Sequence, residues 1–223
     1  MEENIVLCVD VSREMEEGLS GATTIHPTTR IAHTKRLLKA FIQAKSQLTP
    51  GVQHRFALVL LKEQAEWLMD FSTDKGLLVA VIDEVVTTGY YPRFKADSLF
   101  NVLHQNVQRL GIPKFRAICI YGRSNVLPEC PQGIIRQHIN HPQFTLDFIY
   151  LHKSKSTDND PQRIYDFWTT LESDLTPGYF FEVTKSSRRY TQAIMKLLAN
   201  PSVRPKQEDC HYVFNTPRVS FVE

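Results

Sequence analysis

Short apolar runs recur along the chain and predict a buried β-sheet. They are Ile5–Val9, Phe56–Leu61, Ala117–Tyr121, Leu146–Leu151 and Tyr179–Val183. Runs that are apolar on both faces are typical of parallel strands covered by helices on each side. A further run, Ala65–Met69, follows Phe56–Leu61 so closely that we expect a hairpin there, and hence one antiparallel strand at an edge of the sheet.

Segments with helical periodicity lie between these runs. The first has an apolar stripe formed by Leu37, Phe41, Ala44 and Leu48. Leu77–Val85 predicts a second helix, with Ser72 or Thr73 as its N-cap. Further helices are predicted over Leu99–Leu110, near Ile134 and Ile135, from Pro161 to Leu171 and from Tyr190 to Leu198. The alternation predicts an α/β fold with a doubly wound, mostly parallel sheet, one antiparallel edge strand and helices on both faces.

Composition narrows the function classes. The 223 residues include 26 basic and 24 acidic side chains, a net charge of +2 that gives no general attraction to nucleic acid or anionic lipid. The four cysteines form no C-x-x-C pair and suit a reducing compartment. No apolar run approaches the ~18 residues of a membrane span, and Met1-Glu2-Glu3 is unlike a signal peptide. We therefore expect a cytosolic or nuclear protein with no nucleic-acid or membrane partner.

The periodicity ends at Pro201. We predict one domain over residues 1–200 and an extended, partner-binding tail over residues 201–223, because proline-interrupted chain with bulky side chains suits a groove on another protein. The predicted partner-binding residues are Pro201, Arg204, Pro205, Tyr212, Phe214, Pro217 and Phe221. The alternative is that the tail folds back on its own domain, and truncation after Asn200 is expected to separate the two.

Polar residues follow the first strand, at Asp10-Val11-Ser12. A strand that ends in D-x-S, followed by this order of elements, resembles the von Willebrand factor A fold. Metal-binding members of that fold hold magnesium with D-x-S-x-S, a threonine from a second loop and an aspartate after the fourth strand. Such oxygen ligands suit a hard cation.

This chain departs from the metal-binding pattern. Asp10 and Ser12 match it, Glu14 replaces the second serine, and Ser98 provides a hydroxyl near the second-loop position. Arg123 follows the fourth strand, where the family has an aspartate, and its charge opposes a metal. We predict a degenerate site with no metal and no cofactor, in which Asp10 and Ser12 hydrogen-bond to backbone amides.

Several blocks together indicate a closer resemblance. They are Val6–Met15, Phe56–Leu60 with Trp67, Phe148–His152 and Met195–Pro201 with Arg204-Pro205. This set is similar to the von Willebrand A-like adaptor subunits shared by the BRISC and BRCA-A deubiquitinase complexes. The N-terminal extension of that family is expected to be missing, because Asp10 lies close to Met1.

The resemblance implies a non-catalytic scaffold that stabilises a zinc-dependent deubiquitinase complex. In that family the subunit directly binds a ubiquitin-conjugating-enzyme-variant subunit. That partner in turn holds a zinc isopeptidase and its pseudo-enzyme mate, and the assembly trims non-degradative ubiquitin chains in DNA-damage and cytoplasmic signalling.

Two other functions stay open at this point. One is a metal-dependent ligand-binding module of the same fold, and the other is a stand-alone ubiquitin-binding domain. An enzyme is the least favoured, because Ser12, His33 and Asp10 lack the G-x-S-x-G context of a hydrolase triad. His138 and His141 lack the further ligands that zinc requires.

Overall fold

A computed structural model of the chain describes residues 2–20, 28–131 and 138–209. Its sheet has six strands: β1 (Glu2–Asp10), β2 (Gln53–Leu61), β3 (Ala65–Ser72), β4 (Phe115–Tyr121), β5 (Phe144–Leu151) and β6 (Phe180–Val183). The strand order is β3-β2-β1-β4-β5-β6. Every neighbouring pair is parallel except β2 and β3, which pair antiparallel. The predicted fold class, including its antiparallel edge strand, is confirmed.

Five helices are described: α1 (Arg30–Leu48), α2 (Lys75–Glu84), α3 (Ala96–Arg109), α4 (Pro161–Thr169) and α5 (Ser187–Lys196). Short 3-10 helices span Arg13–Glu16 and Gln207–Asp209. The helix predicted near Ile134 and Ile135 lies outside the described residues.

The sheet separates two apolar cores, which explains why the strands are apolar throughout. Successive residues of β1 alternate between them: Val6 and Cys8 pack with α3 and α4, whereas Leu7 and Val9 pack with α1, α2 and α5. Because side chains alternate across a strand, a sheet covered on both faces needs apolar residues at every position.

Two details of the helices differ from the predictions. Leu48 does not belong to the buried stripe of α1, since it is 65% exposed, and the preceding turn instead buries Lys45. A carboxylate at the start of β1 makes that burial possible, because Lys45 Nζ lies 2.5 Å from Glu3. The N-cap of α2 is Asp74, which accepts a hydrogen bond of 3.0 Å from Leu77 N, and not Ser72 or Thr73.

Candidate functional site

Asp10 ends β1 and lies fully buried at the carboxyl edge of the sheet. Its Oδ1 accepts a hydrogen bond from Ser12 N at 2.8 Å, and its Oδ2 accepts one from Gly122 N at 2.9 Å. A Cβ at position 122 would overlap Met15 Sδ, so a larger residue there would displace the buried Met15 side chain. The predicted role of Asp10 as an acceptor for backbone amides agrees with these contacts.

Arg123 supplies the positive charge that pairs with this carboxylate. Its Nε donates to both Asp10 oxygens, at 3.2 and 3.1 Å. Nη1 donates to the Arg93 carbonyl at 3.0 Å, and Nη2 donates to the Leu61 and Lys62 carbonyls at 2.8 and 2.6 Å. Every guanidinium nitrogen therefore donates, and the ion pair meets the condition on which a buried charge is tolerated.

Aromatic rings enclose the same guanidinium. Its central carbon lies 5.3 Å from the ring centre of Tyr91, 5.2 Å from that of Phe94 and 5.4 Å from that of Tyr121. Rings at this distance favour a cation through their quadrupoles. Arg123 is thus held from several elements at once, and the side chain is only 1% exposed.

A second ion-pair group lies beside the first. Glu14 accepts a hydrogen bond from Ser124 N at both carboxylate oxygens, at 3.0 and 3.1 Å. Arg30 lies 3.9 Å from Glu14 and 3.7 Å from Glu17, and its Nη1 donates to the Gly122 carbonyl at 3.0 Å. Burial lowers the pKa of Arg30, while Glu17 and Glu14 oppose that shift.

These residues do not fit the magnesium ion that metal-binding members of the fold hold. Both oxygens of Asp10 are occupied by donors, and the guanidinium of Arg123 lies against them. Glu14 is directed to the Ser124 amide. A divalent cation here would have to displace a buried arginine and would meet its repulsion. Within the described ranges, no group of three or more His, Cys, Asp or Glu side chains is arranged to hold a metal ion.

Two further predicted positions have separate surroundings. Ser98 Oγ donates to the Lys95 carbonyl at 2.6 Å and accepts from Ala65 N at 2.8 Å, so it joins the start of α3 to the β2–β3 hairpin. Ser12 is buried, and its Oγ has no hydrogen-bond partner among the described residues, so the prediction that this side chain bonds to backbone amides is wrong. Its backbone N–H instead donates to Asp10. His33, considered above for a triad, instead contacts Arg36 and Thr191.

The first nine residues of the tail lie against the domain, and we call residues 201–209 the docked segment. Arg204 Nη2 donates to Asp147 Oδ1 at 2.5 Å, and its guanidinium lies 3.8 Å from the ring centre of Tyr179. The Tyr179 hydroxyl donates to the Pro205 carbonyl at 2.6 Å. The side-chain amide of Gln207 accepts a hydrogen bond from Phe180 N and donates one to the Phe180 carbonyl. A neighbouring strand would make the same two kinds of bond.

Asp147 connects the docked segment to the core. It lies in β5, is fully buried, and accepts hydrogen bonds from Arg116 Nε at 2.5 Å and Tyr179 N at 2.7 Å as well as from Arg204. Burial alone would raise the pKa of Asp147, but the two guanidinium groups and the Tyr179 amide lower it overall. Sequence reasoning missed this cluster, although an acidic residue inside an apolar strand signals a buried partner.

The remaining predicted binding residues are Tyr212, Phe214, Pro217 and Phe221, which lie outside the described residues. The partner-binding role of the tail therefore stays a prediction. Among the helices that the structure describes, none is both long and apolar enough to cross a membrane.

Comparison with known sequences identifies distant relatives. "BRISC and BRCA1-A complex member 1" is 25% identical over 228 residues in Danio rerio, 26% over 223 in Xenopus laevis and 25% over 232 in Homo sapiens. Each match covers 94% of this chain, and 60%, 67% and 67% of the respective relative. The homology is thus distant but extends over nearly the whole chain, which spans about three fifths of the Danio relative. No family model matches.

Solved structures similar to the chain have the von Willebrand A fold. The SpRpn10 VWA domain has a TM-score of 0.58 at 14% identity, with 87% of this chain and 94% of that domain covered. A von Willebrand factor type A protein from Catenulispora acidiphila has a TM-score of 0.57 at 15% identity, over 90% of this chain and 42% of that one. At this identity the similarity establishes the fold, which agrees with the resemblance in the sequence.

Proposed function

We propose that the chain is a non-catalytic scaffold subunit of a deubiquitinase complex of the BRISC or BRCA1-A type. The observation that carries the proposal is the homology to member 1 of these complexes over 94% of the chain. The carboxyl edge of the sheet supports it, because Arg123 pairs there with Asp10, the carboxylate that a metal-dependent member of the fold would use as a ligand.

The proposed direct partner is a ubiquitin-conjugating-enzyme-variant subunit, which would connect the chain to a zinc isopeptidase and its pseudo-enzyme mate. The complex would act on non-degradative ubiquitin chains in the cytoplasm and nucleus. On this proposal the isolated chain cleaves no ubiquitin chain and binds free ubiquitin only weakly. Titration with ubiquitin therefore distinguishes a scaffold from a stand-alone ubiquitin receptor.

We assign partner binding to the tail, in two parts. Arg204 is engaged within its own domain, so it would fix the direction in which the chain leaves the surface. Tyr212, Phe214 and Phe221 follow the docked segment and would act as anchors, because buried aromatic side chains dominate interface energies. Fixing the start of the tail lowers the entropy that its remaining residues lose on binding.

Co-expression with the ubiquitin-conjugating-enzyme-variant subunit tests this assignment. A chain that ends at Asp209 keeps the docked segment and is expected to fold normally while losing the partner. Truncation after Asn200 is a poorer test, because it also removes Arg204 from buried Asp147.

Joint substitution of Tyr212, Phe214 and Phe221 by alanine should weaken partner binding by at least about a hundredfold. Tyr90→Ala is the matched control, since Tyr90 is an exposed aromatic residue at the carboxyl edge. Full binding by the chain that ends at Asp209, or loss of binding in the Tyr90 variant alone, would contradict the assignment to the tail.

A further inference from the structure

A groove of about 250 Å³ follows the last strand of the sheet, between β6 and α5, and we call it the β6 groove. Phe181 and Val183 of β6 and Ala193 of α5 give it an apolar lining. The polar side chains that α5 adds to this lining are Arg188, Arg189, Gln192 and Lys196. The groove therefore lies at the side of the sheet opposite β3, away from the sites at the ends of the strands.

The cations of the groove are available to a ligand. Arg188 and Arg189 are exposed, as is Lys185 just before the helix. Within the described ranges, neither these residues nor Lys196 forms an ion pair. The Lys196 ammonium lies 5.5 Å from the ring centre of Phe181, which keeps it beside the groove.

The acidic side chains nearby do not balance these cations. Glu182 is the acidic residue in the lining, and its carboxylate lies 2.8 Å from His152 Nε2. Lys206 and Glu208 of the docked segment lie 4.0 Å from each other, and neither lines the groove. Three cationic side chains therefore share the lining with one carboxylate, which favours an anionic ligand.

The residues outside the described ranges carry little negative charge. They contain one acidic side chain, Glu223, and two arginines, Arg136 and Arg218. Their sum is positive, so none of these segments complements the groove in charge. The complementary charge must therefore come from outside these 223 residues.

The hydrogen bonds between β5 and β6 define which backbone groups of β6 face outward. Phe148 N donates to the Tyr179 carbonyl at 2.8 Å, and His152 N donates to the Val183 carbonyl at 3.1 Å. Alternate residues of a strand direct their backbone groups to opposite sides, so the residues between Tyr179 and Val183 alternate in the same way. Phe180 and Glu182 consequently direct N–H and C=O away from the sheet.

These two outward positions differ in what meets them. Phe180 is met by the side-chain amide of Gln207, at 2.6 Å from its N and 2.8 Å from its O. For Glu182, no residue in the described part of the chain bonds to the outward N–H or C=O. A strand edge with free backbone groups is a template for a further strand.

We propose that the β6 groove binds an acidic, extended segment of a partner protein, which adds to the edge of β6 at Glu182. Backbone groups of the segment would bond to the Glu182 N–H and C=O. Acidic side chains at its alternate positions would face Arg188, Arg189 and Lys196, because side chains alternate across a strand. This site is independent of the tail and of the proposed function.

The test is titration of the full-length chain, followed by the amide chemical shifts of Phe181, Glu182 and Val183. The first probe is N-acetyl-Glu-Val-Glu-Val-Glu amide, and the matched neutral probe has glutamine in place of each glutamate. We expect saturable shifts and binding of the acidic probe that is at least about tenfold tighter at low salt. The preference should shrink as the ionic strength rises.

Backbone methylation separates a peptide ligand from anions in general. One form of the acidic probe is N-methylated at both valines, and another at the three glutamates. Because alternate residues of an added strand direct their N–H groups to β6, only one of the two patterns should weaken binding, by about tenfold. Equal effects of the two patterns, or binding of inorganic tripolyphosphate as tight as that of the peptide, would overturn the peptide assignment.

Variants of exposed cations provide the control. Arg188→Gln with Arg189→Gln should fold normally, since both side chains are exposed, and should weaken the acidic probe by about tenfold. Arg13→Gln with Arg163→Gln removes the same charge from exposed positions elsewhere and should leave binding unchanged.

Charge reversal is the second variant. Arg188→Glu with Arg189→Glu should prefer N-acetyl-Lys-Val-Lys-Val-Lys amide to the acidic probe. The groove assignment is overturned by the absence of saturable shifts in the unsubstituted chain, by equal losses in the two glutamine double variants, or by an unchanged preference after charge reversal.

Discussion

Both edges of the parallel sheet bury an arginine against an aspartate, but the two pairs are completed differently. At the carboxyl edge, Arg123 pairs with Asp10 and uses its other nitrogens on carbonyls of the same domain. At the amino edge, Arg116 pairs with Asp147 but leaves Nη2 without a partner among the described residues. Every guanidinium nitrogen of Arg123 is therefore paired, whereas one nitrogen of Arg116 is not paired within the described part of the chain, and a cavity lies beside each group.

The two edges show how buried carboxylates can be paired by arginines of the same chain. The guanidinium of Arg123 supplies, against Asp10, the positive charge that a metal supplies in metal-binding members of the fold. The amino edge instead holds the chain's own docked segment through Arg204 and Asp147.

The largest effect is expected at the carboxyl edge. Arg123→Met leaves the fully buried Asp10 carboxylate without its cation and should lower the free energy of unfolding by about 3–5 kcal/mol, measured by urea denaturation. Adding Asp10→Asn should recover part of the loss, because the double variant buries no net charge. Arg13→Met, at an exposed neighbouring position, is the control. Equal stability of the Arg123 and Arg13 variants would contradict the conclusion that Arg123 stabilises the buried Asp10 carboxylate.

A smaller loss is expected at the amino edge. Arg204→Met should lower the free energy of unfolding by about 1–3 kcal/mol, because Asp147 keeps Arg116 and the Tyr179 amide as partners. Lys206→Met changes an exposed cation in the same segment and should have little effect. If both variants match the unsubstituted chain, the docked segment does not stabilise the domain.

The free energy of unfolding should also depend on pH through His104. Burial, with smaller contributions from His138 and His141, lowers the pKa of His104 to about 4. The folded protein therefore binds fewer protons than the unfolded chain between the unfolded pKa of about 6.5 and the folded value. Stability from His104 is complete above that window and falls as the pH falls through it.

His104→Leu should flatten the loss of stability between about pH 6.5 and pH 4. Melting curves recorded across this range measure the effect, and above pH 7 the two proteins should show the same dependence. Parallel curves throughout would show that the imidazole keeps its ordinary affinity for protons in the folded state.

Added divalent metal ions should have no effect on thermal stability. Millimolar magnesium or manganese should leave the Tm unchanged, because Arg123 occupies the oxygens that a metal would need. Differential scanning calorimetry with and without the metal checks this, with a chelator as the reference. A clear rise in Tm would mean that a metal ion displaces Arg123 from Asp10.

Sequence reasoning predicted the fold and the loss of the metal pattern because both depend on local signals. The apolar runs specify a sheet covered on both faces, and Asp10, Ser12, Glu14 and Arg123 lie where the family pattern can be compared position by position. The burial of the Arg123 side chain against Asp10 was not predictable in the same way. It depends on the Leu61 and Arg93 carbonyls, which only the folded chain brings close.

The amino edge was missed for a related reason. Lys45 and Arg116 look like solvated residues next to apolar segments, and only the tertiary arrangement places them against Glu3 and Asp147. A single acid within the apolar run Leu146–Leu151 is the signal that could have found the cluster, because a buried carboxylate requires a partner.

The scaffold proposal is tested most directly by affinity purification of the tagged full chain from its native cells, with quantitative mass spectrometry of the proteins recovered. The account predicts near-equal recovery of a ubiquitin-conjugating-enzyme-variant subunit and a zinc isopeptidase, with loss of both from a chain that ends at Asp209. Recovery of neither protein with the full, folded chain would contradict the proposed function.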